Sequence, residues 1–151
     1  MKHSTQCADL IRKSEGCKLC AYPDPGTGAE PFTCGWGATG PDVTPRTVWT
    51  QAQADARLEA DLAKVDAQVN AMIGNAPTTQ GQFDALVDFA YNAGAHNLQT
   101  STLLRKHLAG DHAGAQQQFA RWVYAGGKIL PGLVKRRASE AALYGAKHDI
   151  P

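Results

Sequence analysis

Residues 15–39, EGCKLCAYPDPGTGAEPFTCGWGAT, decide how this chain is built. Just before them, Leu10 and Ile11 share an inner face, and Ser4 or Thr5 is available as a cap, so a first helix is predicted over about 4–15. Gly16 suits the left-handed conformation that closes a helix. Then Pro23, Pro25 and Pro31, mixed with Gly26, Gly28, Gly35, Gly37 and Gly40, exclude a long helix and mark turns between short strands. The pattern predicts strands near 18–22 and 32–36, an antiparallel hairpin with its loop at Asp24–Pro31.

Downstream the periodicity turns helical. Thr44-Pro45, a capping residue followed by proline, predicts that helix resumes there. Thr50 and Gln53 have capping-box spacing, and Leu58, Leu62, Val65, Val69 and Ile73 form one apolar stripe, so a long helix should cover about 50–73. Gly74, Asn75 and Pro77 close it. Thr79 and Gln82 make a second capping box, opening a helix with Phe83, Leu86, Val87 and Ala90 that ends near Gly94. Ser101 or Thr102 caps a short helix ending at Gly110. Asp111 caps another over about 112–123, presenting Phe119, Trp122 and Val123. Gly126-Gly127 interrupts the chain, and Pro131 starts a last helix reaching about 146. The expected class is α+β and predominantly helical: a helix-and-hairpin lobe (about 1–49), a connecting helix (about 50–73) and a helical lobe (about 78–147).

With 151 residues, 43% of them hydrophobic, the chain has one domain's length and enough apolar material for a core. A formal net charge of +1 argues against a strongly electrostatic nucleic-acid binder. The charge is uneven: residues 121–151 carry +4 and residues 51–88 carry −4. That basic part fits either an anionic polymer such as bacterial wall or ordinary solvated helix faces. No segment approaches the ~18 continuous apolar residues of a membrane span, so stable membrane insertion is not expected. The opening residues MKHSTQCAD lack a secretory pattern, so the expectation is a cytoplasmic product with neither signal peptide nor signal anchor. Cys7, Cys17, Cys20 and Cys34 leave three readings open: a thiolate zinc site, a disulfide formed after release, or four reduced thiols. Otherwise no metal or cofactor is called for. His96, His107 and His112 lack ligand spacing and read as surface residues. Lys128 after Gly126-Gly127 lacks the context of a phosphate loop.

The chemistry concentrates where the first helix meets the hairpin. Glu15 stands at a helix end, Asp24 at a turn nine residues later, and Thr33 on the returning strand. Glycosidic cleavage uses such a set: one protonated carboxyl for the leaving oxygen, one carboxylate on the other face, and a hydroxyl to hold water. The acid needs apolar surroundings, and Leu19, Tyr22, Phe32 and Trp36 are the candidates to supply them. By spacing alone the signal is weak, and Glu15 and Asp24 read more readily as two solvated loop carboxylates.

Residues 15–39 resemble the active-site region of phage-type lysozymes, glycoside hydrolase family 24, which carry a Glu, an Asp and a Thr in that order. The resemblance continues through residues 82–94 (QFDALVDFAYNAG), 101–104 (STLL), 121–128 (RWVYAGGK) and 130–140 (LPGLVKRRASE), covering nearly the whole chain. It implies a lysozyme-like fold and an endolysin: a muramidase hydrolysing the β-1,4 bond between N-acetylmuramic acid and N-acetylglucosamine of peptidoglycan. Glu15 would be the general acid, Asp24 and Thr33 would handle water, and Tyr91, Asn92 and Thr102 would bind substrate. It further implies a monomer that waits in the host cytoplasm until a separate holin admits it to the periplasm and wall. A lytic transglycosylase giving 1,6-anhydro products, or a non-catalytic wall-binding module, are the alternatives. One departure stands out. Eight residues separate Asp24 from Thr33, three more than the family's usual spacing. Strict counting would select Glu30, whereas Thr33-Cys34-Gly35-Trp36-Gly37 matches the family's T-x-G-x-G strand, so Thr33 is the better match and Glu30 is left as an outside candidate for an auxiliary carboxylate.

Overall fold

In the computed structural model, which describes residues 1–146, helix α1 (Thr5–Glu15) leads into strands β1 (Lys18–Tyr22) and β2 (Thr33–Gly35). There follow α2 (Gln51–Ile73), α3 (Gln80–Ala93), α4 (Ala95–Gln99), α5 (Thr102–Leu108), α6 (His112–Gln118), strands β3 (Tyr124–Ala125) and β4 (Lys128–Ile129), and α7 (Pro131–Gly145). Among the described residues no helix is long and apolar enough to cross a membrane. The described residues form two compact units: residues 11–63 make one, and residues 1–10 join with residues 64–146 in the other.

In the unit of residues 11–63, β1 lies in the middle. It pairs antiparallel with β2, Lys18 opposite Gly35 and Tyr22 opposite Thr33, with an irregularity between the two pairs. On its other edge Cys20 bridges Val48, Ala21 N–H donates to the Thr47 carbonyl (2.9 Å) and Trp49 N–H to the Leu19 carbonyl (2.8 Å). The helix expected from Thr44-Pro45 is therefore absent. Thr47 N–H closes a turn on the Thr44 carbonyl, Thr44 Oγ1 accepts from Arg46 N–H, and the chain runs on extended beside β1. Proline at the second position of a turn satisfies the same local preference as proline opening a helix. The capping box does form: Gln53 N–H donates to Thr50 Oγ1 and Thr50 N–H to Gln53 Oε1. Ile11, Cys34, Ala38, Val43, Ala54 and Leu58 are buried here.

In the other unit α3 is central. The Thr79 capping box is complete, and every residue from Gly81 to Ala90 is buried. A helix buried on all sides must pair its charges. Asp84 accepts from Ser4 N–H (2.9 Å) and the Gln80 amide (2.9 Å), and Asp88 accepts from Arg136 Nε (3.1 Å) and Nη2 (2.9 Å). Phe89 meets Phe119 and Trp122 edge-on, with centroids 6.0 and 5.2 Å away.

Three local expectations need correction. The helix expected over 112–123 stops at Gln118 and finishes in a tight 3-10 turn, Phe119–Arg121. Gly126-Gly127 does more than interrupt the chain, because it is the turn of a small β3–β4 hairpin. His107 is not a surface residue: it is buried between the Tyr144 hydroxyl (2.6 Å from Nδ1) and Thr78 Oγ1 (2.9 Å from Nε2).

Candidate active site

Glu15 is the last residue of α1, and Gly16 N–H caps that end on the Arg12 carbonyl at 3.0 Å. Its half-buried side chain lies against the backbone of Gly37. A Cβ at Gly37 would sit 2.8 Å from Glu15 Oε2 and 3.0 Å from its Cδ, and the φ of +92° is one that side chains rarely adopt. Gly35, in the same strand-and-turn, lies beneath Trp49, whose ring carbons would come within 3.0 and 3.1 Å of a Cβ. The two glycines of the T-x-G-x-G segment thus make room for Glu15 and for Trp49. Between them Cys34 and Ala38 exchange backbone hydrogen bonds of 3.0 and 2.9 Å, which fixes the turn.

Asp24 organises the longer loop around itself. Its Oδ2 accepts from Gly26 N–H (3.0 Å) and Thr27 N–H (3.1 Å), its carbonyl from Gly28 N–H (2.7 Å), and its own N–H donates to the Ala29 carbonyl (2.9 Å). Thr27 Oγ1 ties the far side by donating to the Glu30 carbonyl at 3.2 Å. The three additional residues therefore leave a loop with its own hydrogen bonds. They also leave Asp24 Oδ1 without a protein partner among the described residues. Thr33 begins β2, half-buried and paired with Tyr22, two residues upstream of Asp24. The irregular hairpin thus holds a hydroxyl and a carboxylate on the ends of two neighbouring strands.

The apolar surroundings expected of Glu15 form only in part. Tyr22, Phe32 and Trp36 are half-buried, but Leu19 is exposed, as are Lys18 and Cys20 on either side of it. Trp36 is anchored rather than free: its Nε1 donates to Asp55 Oδ1 at 2.8 Å. Gln51 donates to the same oxygen at 2.9 Å, and these two hydrogen bonds hold the Asp55 carboxyl below its ordinary range. Arg57 clamps the turn from α2, bonding Asp61 (3.0 Å), Asp42 and the Thr39 carbonyl (2.8 Å). Sequence reasoning missed Asp55 and Arg57. Their signal was the four-residue spacings Gln51–Asp55 and Arg57–Asp61 on a helix face.

The proposed substrate residues lie in the other unit. Tyr91 is half-buried and Asn92 exposed at the end of α3, where Asn92 Oδ1 accepts from Arg137 Nη2. Thr102 opens α5, and its Oγ1 accepts from Arg105 at 3.2 Å. Arg137 also makes a two-pronged pair with buried Glu140 (2.7 and 3.1 Å) and lies 4.9 Å over the Phe89 ring. Burial and the nearby Asp88 push the Glu140 carboxyl up, against the pull of Arg137 and Arg136. All four cysteines are unpaired thiols, with Cys7 and Cys34 buried and Cys20 exposed. Burial pushes both buried thiols up, which keeps them protonated and inert. Among the described residues no cluster of His, Cys, Asp or Glu is placed to hold a metal.

A sequence model described as phage lysozyme matches residues 12–140. The chain is 41% identical to an endolysin of Bacillus phage PZA over 97% of its own length, spanning 56% of that protein. It is 42% identical to an endolysin of Acyrthosiphon pisum secondary endosymbiont phage 1, over 89% of this chain and 92% of the relative. Among solved structures, the muramidase domain of SpmX from Asticaccaulis excentricus superposes with a TM-score of 0.85 at 33% identity, covering 97% of this chain and 99% of that one. An endolysin from Escherichia coli O157:H7 phage FAHEc1 gives 0.82 at 37% identity, covering 96% and 94%.

Proposed function

We infer, from the premise that this chain belongs to the phage lysozyme family, that it is an endolysin muramidase hydrolysing the β-1,4 bond between N-acetylmuramic acid and N-acetylglucosamine in peptidoglycan. The observation that carries this is the unequal treatment of two carboxyls. Glu15 is packed against a glycine backbone at a helix end. Asp24, two residues beyond the Tyr22 that pairs with Thr33, spends Oδ2 on its own loop, while Oδ1 has no protein hydrogen bond among the described residues.

Glu15 donates its proton to the glycosidic oxygen as the bond to the anomeric carbon breaks. Asp24 Oδ1, helped by the Thr33 hydroxyl, orients a water whose oxygen bonds that carbon from the opposite face and whose proton passes to Asp24. Proton exchange with solvent then restores both groups. This route inverts the anomeric centre, as expected of a pair ~6.5–9.5 Å apart with room for water between. In the other unit, Tyr91, Asn92 and Thr102 contact the sugar chain. Access to the wall depends on a separate holin, and the chain acts as a monomer.

Product analysis on purified peptidoglycan tests the assignment. Reducing N-acetylmuramic acid ends are expected from wild type and none from Glu15→Gln, which should unfold normally. Anhydro ends would point instead to transglycosylation, and full clearing by Glu15→Gln would remove the acid from its role. Lysis on expression alone, without a holin, would overturn the delivery route.

A further inference from the structure

Next to the strand that carries Thr33, Glu30, Pro31, Phe32, Pro41, Val43 and Pro45 line a cleft of about 520 Å3. That lies within the ~300–1,000 Å3 typical of ligand pockets. Its lining is three proline rings with Phe32 and Val43, while Thr39 and Thr44 add polar groups and Glu30 brings the one formal charge. The other acids nearby are occupied: Arg57 takes Asp42, and Asp24 Oδ2 holds its own loop. The Glu30 side chain is exposed and has no ion-pair partner among the described residues. It stands on the part of the loop that is longer than the family pattern, three residues from Thr33.

A cleft walled by prolines, Phe32 and Val43, with two threonines and one exposed carboxylate, selects an occupant bearing small apolar groups and a cation. The N-acetylated glycan itself has no cation to offer. The short peptide hanging from each muramic acid does, because its alanines carry methyl groups and its diamino acid carries a primary ammonium. We propose that this cleft receives the stem peptide of peptidoglycan, with Glu30 pairing with its free ammonium group while the glycan lies at Glu15 and Asp24. This rests on the muramidase reading above. Cross-linking turns that ammonium into a neutral amide, so the cleft favours strands whose stems are not cross-linked.

The test uses un-cross-linked glycan strands in three forms: native stems, stems with acetylated amines, and strands stripped of stems by an amidase. Wild type should lose about three- to fivefold in kcat/KM, through KM, on acetylation, the scale of an exposed ion pair. Glu30→Gln should show that loss on native strands and no further loss on acetylated ones. Glu30→Lys should be worse on native strands, and all three proteins should cut stripped glycan equally. Wild type indifferent to acetylation, or a Glu30→Gln defect that persists on stripped glycan, would overturn the proposal. Titration of the free stem peptide followed by NMR needs no turnover. Shifts within residues 30–45 that vanish in Glu30→Gln support the cleft even if no strand is cut, an outcome that would sink the muramidase reading alone. An active wild type with no shift at millimolar peptide sinks the cleft alone.

Discussion

Replacing His107 with glutamine should make the protein's stability less sensitive to acid. The imidazole is buried between Tyr144 and Thr78 and stacks on His112 with centroids 5.3 Å apart. Burial first, and His112 second, pull its pKa down to about 4. In the unfolded chain the ring takes up its proton near 6.5, its ordinary value. As pH falls between these two values the unfolded state binds more protons, so stability present at neutral pH is drawn off across that window and not further below it. Between about pH 7 and pH 4.5 this one group removes about 2 kcal/mol. Glutamine does not titrate there. The variant should start about 1 kcal/mol weaker at neutral pH, from poorer hydrogen bonds, and end level with wild type or above it in acid. Urea unfolding followed by tryptophan fluorescence at both pH values measures the two slopes, and the carboxylates common to both proteins cancel in the comparison. Parallel losses would refute the reasoning. So would an imidazole NMR titration that placed His107 near 6.5, or one in which His112→Asn failed to raise its midpoint.

Gly37→Ala should lower muralytic kcat by tenfold or more and cost about 1–3 kcal/mol, because the methyl meets Glu15 Oε2 and the backbone angle becomes strained; turbidity clearing and urea midpoints report the two effects. Thr79→Ala removes half of the α3 capping box and should cost about 0.5–2 kcal/mol in urea unfolding, without changing KM for wall. Arg137→Met leaves Glu140 buried without its partner and should cost about 3–5 kcal/mol, whereas Arg137→Met with Glu140→Leu should recover most of it. Equal losses in the single and double variants would remove the ion pair as the cause.

The parts that were legible in the sequence rest on chemistry within a few residues. Both capping boxes are read from a threonine and a glutamine three apart, and the α2 stripe from its apolar repeat; Leu58, Leu62, Val65, Val69 and Ile73 are all buried. The helix end at Glu15 and the hairpin after it were legible because Gly16 and the prolines leave the chain few choices. What stayed hidden depends on distant partners. Asp88 finds Arg136 across 48 residues, and Asn92 finds Arg137 across 45. His107 was misread although it follows Leu103 and Leu104 at helical spacing on the buried face, a signal that residue type alone outweighed. The β3–β4 hairpin was missed because two-residue strands carry no pattern, yet its Gly-Gly turn, with φ of 58° and 77°, is a strong short-range hairpin mark. The role of Asp24 as the keystone of its own loop was invisible because the additional residues have no counterpart in the family spacing.

The first residues of the chain belong to the same unit as α3, tied there by Ser4 to Asp84 over 80 positions and by His3 to Asp66 over 63. On a ribosome this sets an order of events. Residues 11–63 are contiguous and can gather as soon as they emerge, whereas the leading segment must wait for Asp66 and Asn70, and for Asp84 before Ser4 is held. The unit that holds Glu15, Asp24 and Thr33 is therefore the early one. The clasp that completes the other unit closes late, over a long separation that slows folding more than it weakens the product.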